Sequence, residues 1–249
     1  MTTTTDVPPG PAPTFGALVD ATRPAASGGE SFRCESARTL RIDVDGEVWL
    51  TPGAAIAYRG DLTFHRRPTV EAADPIDAVL RETAPLVRAV GRGCLYCAHH
   101  GSHVRIVRLI GDAVVVAWSD LLAFERTLVF EPRLVAHGVG IAAGGLAAVR
   151  LSGEGLFAFT SHGRPLALPV TPEAPVNTDP HATVAWSDGL EPTLKTDLSW
   201  RSLVGHGGEE PFQMHFGGTG VVLVQPFEDP SRFHLGANPL KRLAAMVGG

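Results

Sequence analysis

The chain has 249 residues, of which 28 are Gly and 20 are Pro, so about one position in five interrupts regular structure; this excludes a bundle or solenoid of long helices. With 44% hydrophobic and 19% charged residues it belongs with globular chains, and it is long enough to bury roughly three quarters of its unfolded surface in one or two domains. The formal charge is −5 and the densest basic run is only His65-Arg66-Arg67, too small a footprint for a phosphate backbone, so nucleic acid is not an expected partner.

Residues 1–29 are rich in Thr, Pro, Ala and Gly and read as a disordered leader with too little apolar surface to order itself. The opening MTTTTDVPPGPAPT has neither a positive n-region nor an apolar h-region. Residues 38–237 read as a single all-β domain. Its apolar runs are short and bounded by Gly, Pro, Asp or His-Gly: Leu40 to Val44, Val104 to Leu109, Ala113 to Trp118, Leu166 to Val170 and Val221 to Gln225. Two short helices interrupt this pattern, Pro75 to Thr83 capped by Asp74, and Pro239 to Val247 entered through Asn238 within a C-terminal segment 238–249. The longest apolar stretch, Val139 to Val149, is about half a membrane span and holds three glycines. Three cysteines, Cys34, Cys94 and Cys97, suit a reducing compartment better than a disulfide framework. A cytoplasmic protein without a transmembrane segment is expected.

Two signatures recur three times each. Gly-x-Gly before an apolar strand occurs at Gly91/Gly93, Gly153/Gly155 and Gly218/Gly220. An apolar-Ala-aromatic triplet with Leu four residues on occurs at Ala57-Tyr58 with Leu62, Ala123-Phe124 with Leu128, and Ala185-Trp186 with Leu190. Gly91 to Ala123 and Gly153 to Ala185 are both 32 residues apart. The spacing predicts two complete units and a third split between the termini, closed as a pseudo-threefold β-sandwich. The strand after Gly220 would then lie beside the strands around Leu40 to Phe64, which hides edges. Glycine permits unusual backbone angles or close approach, and Ala beside an aromatic sends a small and a large side chain to opposite faces. Both signatures read as structural, with Tyr58, Phe124 and Trp186 in the core.

The segments Leu151 to Thr160, Asp120 to Phe124, Gly207-Gly-Glu209 to Phe212, Phe216-Gly-Gly-Thr-Gly220 and Val221 to Gln225 resemble the altered inheritance of mitochondria protein 24 family. The resemblance covers Arg38 to Pro226. It implies a β-sandwich similar to the tryptophan RNA-binding attenuation protein, with internal threefold repetition. It implies no established enzymatic activity, and no cofactor; the mitochondrial member is associated with inner-membrane organisation. Between Phe64 and Val90, where the family pattern calls for another Gly-Glu strand, this chain has a proline-broken stretch. The tryptophan and RNA binding of the fold's namesake does not carry over, because no ligand residue matches and the charge is of the wrong sign.

The most chemical-looking segment is Cys94-Leu-Tyr-Cys97-Ala-His99-His100-Gly-Ser-His103, whose thiol and imidazole groups could hold zinc. A shift of 62 residues, however, places Cys94 and Cys97 on Leu156 and Phe159, and His100-Gly101 on the turn His162-Gly163. Residues 94 and 97 of one strand also face opposite ways. Buried thiols and turn histidines are therefore the expectation, with metal or small-ligand binding by this segment as the alternative. The Gly-x-Gly copies lack the third glycine, preceding strand and following helix of a dinucleotide fingerprint. There is no Gly-x-Ser-x-Gly elbow around Ser152 and no His-x-His metal run of the cupin kind, and His206, His215 and His234 have no triad-like neighbours in sequence. Glu154, Glu209 and Glu210 are the carboxylates considered for acid–base work. Glu154 recurs as Arg92 and Thr219 in the other copies, which marks the position as chemically indifferent. The expectation is a non-enzymatic binding or scaffold protein, with a protein partner or self-association through exposed edges.

Overall fold

The computed structural model describes residues 12, 14–24, 28–66, 85–135, 146–196 and 212–226. The expected helices at 75–83 and 239–247 lie outside these residues, as do His206, Glu209, Glu210 and His234. Within them the chain is all-β apart from one helix, α1 (Phe15–Ala21). That helix falls within the segment 1–29, read from the sequence as a disordered leader: the Thr14 hydroxyl accepts from the Ala17 amide and caps its first turn. Sheet structure also starts earlier than residue 38, with β1 (Phe32–Ser36) carrying the buried Phe32.

Three long strands follow, β2 (Thr39–Leu50), β3 (Ala55–Arg66) and β4 (Val87–Cys97). The runs at 104–109 and 113–118 join as one strand, β5 (His103–Ala117), because Gly111 takes φ +82° and bends the strand without ending it. Then come β6 (Leu121–Glu125), β7 (Val129–Val135), the sixteen-residue β8 (Leu146–Ser161) and β9 (Leu166–Val170). The remainder is β10 (Val176–Thr178), β11 (Thr183–Ser187), β12 (Thr193–Thr196), β13 (Phe212–Phe216) and β14 (Gly220–Val224). All pairings are antiparallel. One sheet runs β3-β4-β2-β6-β8-β5-β11-β14-β9, with β1 beside β2 and β7 beside β8; a second runs β10-β13-β12. Alternating side chains from the inner faces fill three apolar clusters, centred on Leu40, Ile42 and Leu95, on Phe124, Leu151 and Phe157, and on Trp186, Phe216 and Val222.

Each alanine-aromatic strand pairs with the Gly-x-Gly strand that follows it in the chain. Ala57, Ala123 and Ala185 lie opposite Tyr96, Ala158 and Leu223, and Tyr58, Phe124 and Trp186 opposite Leu95, Phe157 and Val222. One residue is skipped just before the alanine every time, between Ala55 and Ala57, Leu121 and Ala123, and Thr183 and Ala185. The backbone amides of Ala98, Thr160 and Gln225 donate to the carbonyls of Ala54, Asp120 and Ala182, closing the same corner three times. The expected split unit is thereby corrected. β14 pairs with β11 and β9, not with β2 or β3, and the spacing of 32 links successive strand sets instead of partners within one.

A second correction concerns the glycines. Gly91, Gly93, Gly153 and Gly155 lie inside β4 and β8; β8 passes there from β7 to β6, whereas β4 keeps β2 and β3 beside it along its whole length. At Gly91 φ is +132°, and a β-carbon would strike the Asp61 carbonyl oxygen; at Gly60, which faces Gly93, it would lie 2.6 Å from the Arg92 carbonyl oxygen. The two backbones touch there because neither residue has a side chain. The second glycine of each pair seats the recurrent leucine. A β-carbon on Gly93, Gly155 or Gly220 would lie 3.1, 3.2 or 3.0 Å from the Cγ of Leu62, Leu128 or Leu190, all three of them buried.

Candidate functional site

The segment flagged for zinc is pulled apart by the pleat. Cys97 is fully buried in the first apolar cluster with Leu40 and Leu95, and burial pushes its thiol pKa up to about 12. Cys94 lies on the other face of β4, opposite Asp43 and Arg59. There it hydrogen-bonds Tyr96, whose phenol is raised first by burial and then by this bond. His99 and His100 stack edge to face at 4.4 Å in the turn after β4, with His100 at φ +43°, while His103 opens β5 opposite Ser161. Among the described residues no three His, Cys, Asp or Glu side chains are placed to hold a metal ion. The three cysteines are free thiols.

Polar chemistry that the sequence reading missed is built into the outer faces. Arg41 is buried at the centre of a ladder on β1 and β2: its Nε donates to Asp43 Oδ1 at 3.1 Å, and Glu35 lies 4.0 Å from its Nη1. Arg33 donates to the other Asp43 oxygen at 2.6 Å. On β8, Arg150 grips Asp188 with two bonds of 2.6 and 2.9 Å and reaches Glu131 at 3.2 Å and Ser152 at 3.1 Å. The Arg150 guanidinium holds the Asp188 carboxyl below its ordinary range despite the opposing effect of partial burial. His215, opposite Asn177 and 2.8 Å from its side-chain oxygen, is lowered first by burial and then by Lys195. Arginine and carboxylate charges satisfy one another in these ladders, which ties strands together and presents no free nucleophile. Only the alternation Arg41-x-Asp43 could have signalled them.

Ser102 and His162 approach at 3.3 Å from Oγ to Nε2, a spacing that suggests nucleophile and base. Ser102 is buried, and the amide of His162 is held at 2.8 Å by the side-chain oxygen of the buried Gln225, the terminal residue of the family-like pattern. The group pins the β8–β9 turn to the end of β14. Glu154 is exposed within β8, as suits a position without a fixed partner.

The remaining candidate is the edge strand β3. Phe124 and Trp186 are 0% and 4% exposed, whereas Tyr58, expected in the core, is 55% exposed; Ile56 is 59% exposed against 0% for Leu122 and Val184. This corrects the third aromatic, and the cause is a missing neighbour. β6 is flanked on its far side by the end of β2, with Trp49 opposite Phe124, and β11 by the end of β5, with Val115 opposite Trp186. Among the described residues β3 pairs with β4 alone. Tyr58 and Phe64 meet edge to face at 5.2 Å and form an apolar patch on that free edge, flanked by Arg59, Asp61 and His65. Among the described residues one side of β3 has no ladder partner, so its backbone donors and acceptors lie beside aromatic surface.

Fold and site together define an all-β protein of antiparallel sheets whose candidate site is a strand edge. Residues 31–227 match the mitochondrial biogenesis AIM24 family, and the chain belongs to it. The crystal structure of protein SPYM3_0169 from Streptococcus pyogenes is similar in fold, with a TM-score of 0.60 at 17% identity over 87% of this chain and 96% of that one. No curated protein sequence matches the chain. No helix among the described residues is long and apolar enough to cross a membrane.

Proposed function

We propose that the protein is a non-enzymatic scaffold that binds protein through the free edge of β3. The observation that carries this reading is the contrast between Ile56 and Tyr58, both more than half exposed, and their buried counterparts Leu122, Phe124, Val184 and Trp186. An exposed apolar edge strand invites added strands, and the usual ways of blunting it with lysine or proline are absent from Ala55 to Arg66. The three strand sets are read as one unit repeated about a pseudo-threefold axis, which the shared registers and the shared leucine seats support. A cytoplasmic setting belongs to the same reading and is supported by the three free thiols. The net charge of −5 supports a partner other than nucleic acid.

The test is comparative capture from native lysate with wild-type protein and with an Ile56→Glu/Tyr58→Glu variant as bait. The proteins retained by the wild type are expected to disappear from the variant while its circular dichroism is unchanged. Identical capture profiles from the two baits would refute the assignment of β3.

A further inference from the structure

We infer that the occupant of the β3 edge is a second copy of this chain, which adds its β10 there and so builds a third junction like the two that lie inside each chain. The inference rests on the reading of β3 as the binding edge and names its partner.

The two internal junctions have the same construction. In one, Val48, Trp49 and Leu50 lie opposite Glu125, Phe124 and Ala123; in the other, Val114, Val115 and Val116 lie opposite Ser187, Trp186 and Ala185. Each covering strand also pairs on its other side, Val48 with Ala89 and Val114 with Leu151, residues that stand two places before Gly91 and Gly153. Applied to the third set, the same rule selects Phe216, two places before Gly218, and Phe216 pairs with Val176 of β10. β10 is therefore the equivalent of the covering ends of β2 and β5. Among the described residues its only ladder partner is β13, and Asn177 is exposed. Among the described residues each chain thus carries one uncovered edge at β3 and one unused covering strand at β10. These are unlike surfaces that complement each other, as the two internal junctions demonstrate.

The register of the intermolecular junction follows: Ala57 opposite Thr178, Tyr58 opposite Asn177 and Arg59 opposite Val176. A pair of copies related by a twofold axis satisfies both edges at once and leaves neither open to uncontrolled growth. Tyr58 and Ile56 become buried in that assembly, which restores the pattern of Phe124, Leu122, Trp186 and Val184.

Two proteins with one introduced cysteine each test this, Tyr58→Cys and Asn177→Cys, both in a Cys34→Ser/Cys94→Ser background whose one other cysteine is the buried Cys97. Opposed residues of an antiparallel pair lie about 5 Å apart at Cα, within disulfide reach. Mild oxidation of the mixture is expected to give a covalent dimer that neither protein gives alone, and light scattering of the wild type is expected to give twice the chain mass of 26.3 kDa. Asn177→Lys, which leaves β3 untouched, is expected to halve that mass without loss of circular dichroism. A wild type that stays monomeric across a concentration series overturns the inference. So does a disulfide that forms only within a Tyr58→Cys/Asn177→Cys double variant, since the edge would then be covered by its own chain. If self-association is absent while the Ile56→Glu/Tyr58→Glu bait still loses captured proteins, the second copy is refuted and the β3 edge stands.

Discussion

Leu190 is seated on Gly220: a β-carbon at that glycine would lie 3.0 Å from both Cγ and Cδ1 of the leucine, and 2.9 Å from the Ser187 β-carbon. The same contact joins Leu62 to Gly93 and Leu128 to Gly155, so the two recurrent signatures are the two halves of one packing interaction.

Gly220→Ala should destabilise the fold by about 1–3 kcal/mol through overpacking, and Leu190→Ala by about 2–5 kcal/mol through the cavity it leaves. The double variant should cost less than the sum, because the shortened side chain makes room for the added methyl. Urea midpoints at constant slope measure all three. Strict additivity would mean that the two residues do not press on each other.

Gly46 and Gly91 face each other across β2 and β4, and both have positive φ, yet they should respond differently to alanine. Gly46 has nothing within 4 Å of a β-carbon, so Gly46→Ala incurs only backbone strain, about 1–3 kcal/mol. At Gly91 the added atom meets the Asp61 carbonyl and the Leu62 Cα, both backbone, and Gly91→Ala should yield no folded protein. Size-exclusion profiles and circular dichroism of the pair decide it. A well-folded Gly91→Ala protein would contradict the close approach of β3 and β4.

The Arg150–Asp188 pair should appear as an acid-dependent part of stability. A carboxyl with a depressed pKa stabilises above its ordinary value of 3.8, and the contribution is lost as pH falls through the lower folded value. Asp188→Asn should therefore cost about 1–2 kcal/mol at neutral pH, as loss of a charged hydrogen-bonded pair does. The gap to the wild type should close below the ordinary carboxylate range. Denaturation of both proteins from pH 7 to pH 2 measures this, and a gap that does not depend on pH would exclude the ionic contribution.

Cys97 should resist alkylation in the native state while the exposed Cys34 reacts first. Its thiol is raised to about 12 from an ordinary 9.0, so the neutral form is favoured by folding and its contribution is complete below pH 9. As pH rises from 9 toward 12 the unfolded thiol ionises and stability falls. Cys97→Ala should remove this alkaline component while lowering stability at pH 7. Rapid native labelling of Cys97 would show that its site opens.

The repeated signatures, the β class and several strand positions were legible because glycines and alternating apolar residues act locally; Leu166–Val170 coincides with its strand residue for residue. Pairing was not legible. The equal 32-residue spacing is true of the sequence, but hydrogen bonding joins each aromatic strand to the glycines after it, a choice made by the corners at Ala54, Asp120 and Ala182. The exposure of Tyr58 was equally hidden, because the sequence around it matches that of Phe124 and Trp186 and only the covering strand differs. The arginine ladders were legible only in the pair Arg41-x-Asp43, because Glu35 and Glu131 come from neighbouring strands and Asp188 from the turn after β11.

The order of pairing also fixes what a ribosome must deliver before each part can form. Every described partner of β2, β3, β4, β6, β7 and β8 lies between Phe32 and Ser161, so these strands can assemble while the rest of the chain is still being made. β9, by contrast, has β14 as its ladder partner among the described strands and must wait for it, about fifty residues further on, whereas β11 can pair with β5 at once and gains β14 on its other side about thirty residues later. A nascent chain therefore passes through a stage in which a finished amino-terminal portion carries Val114 to Val116 bare until β11 arrives, and stalling within 162–182 would prolong that stage.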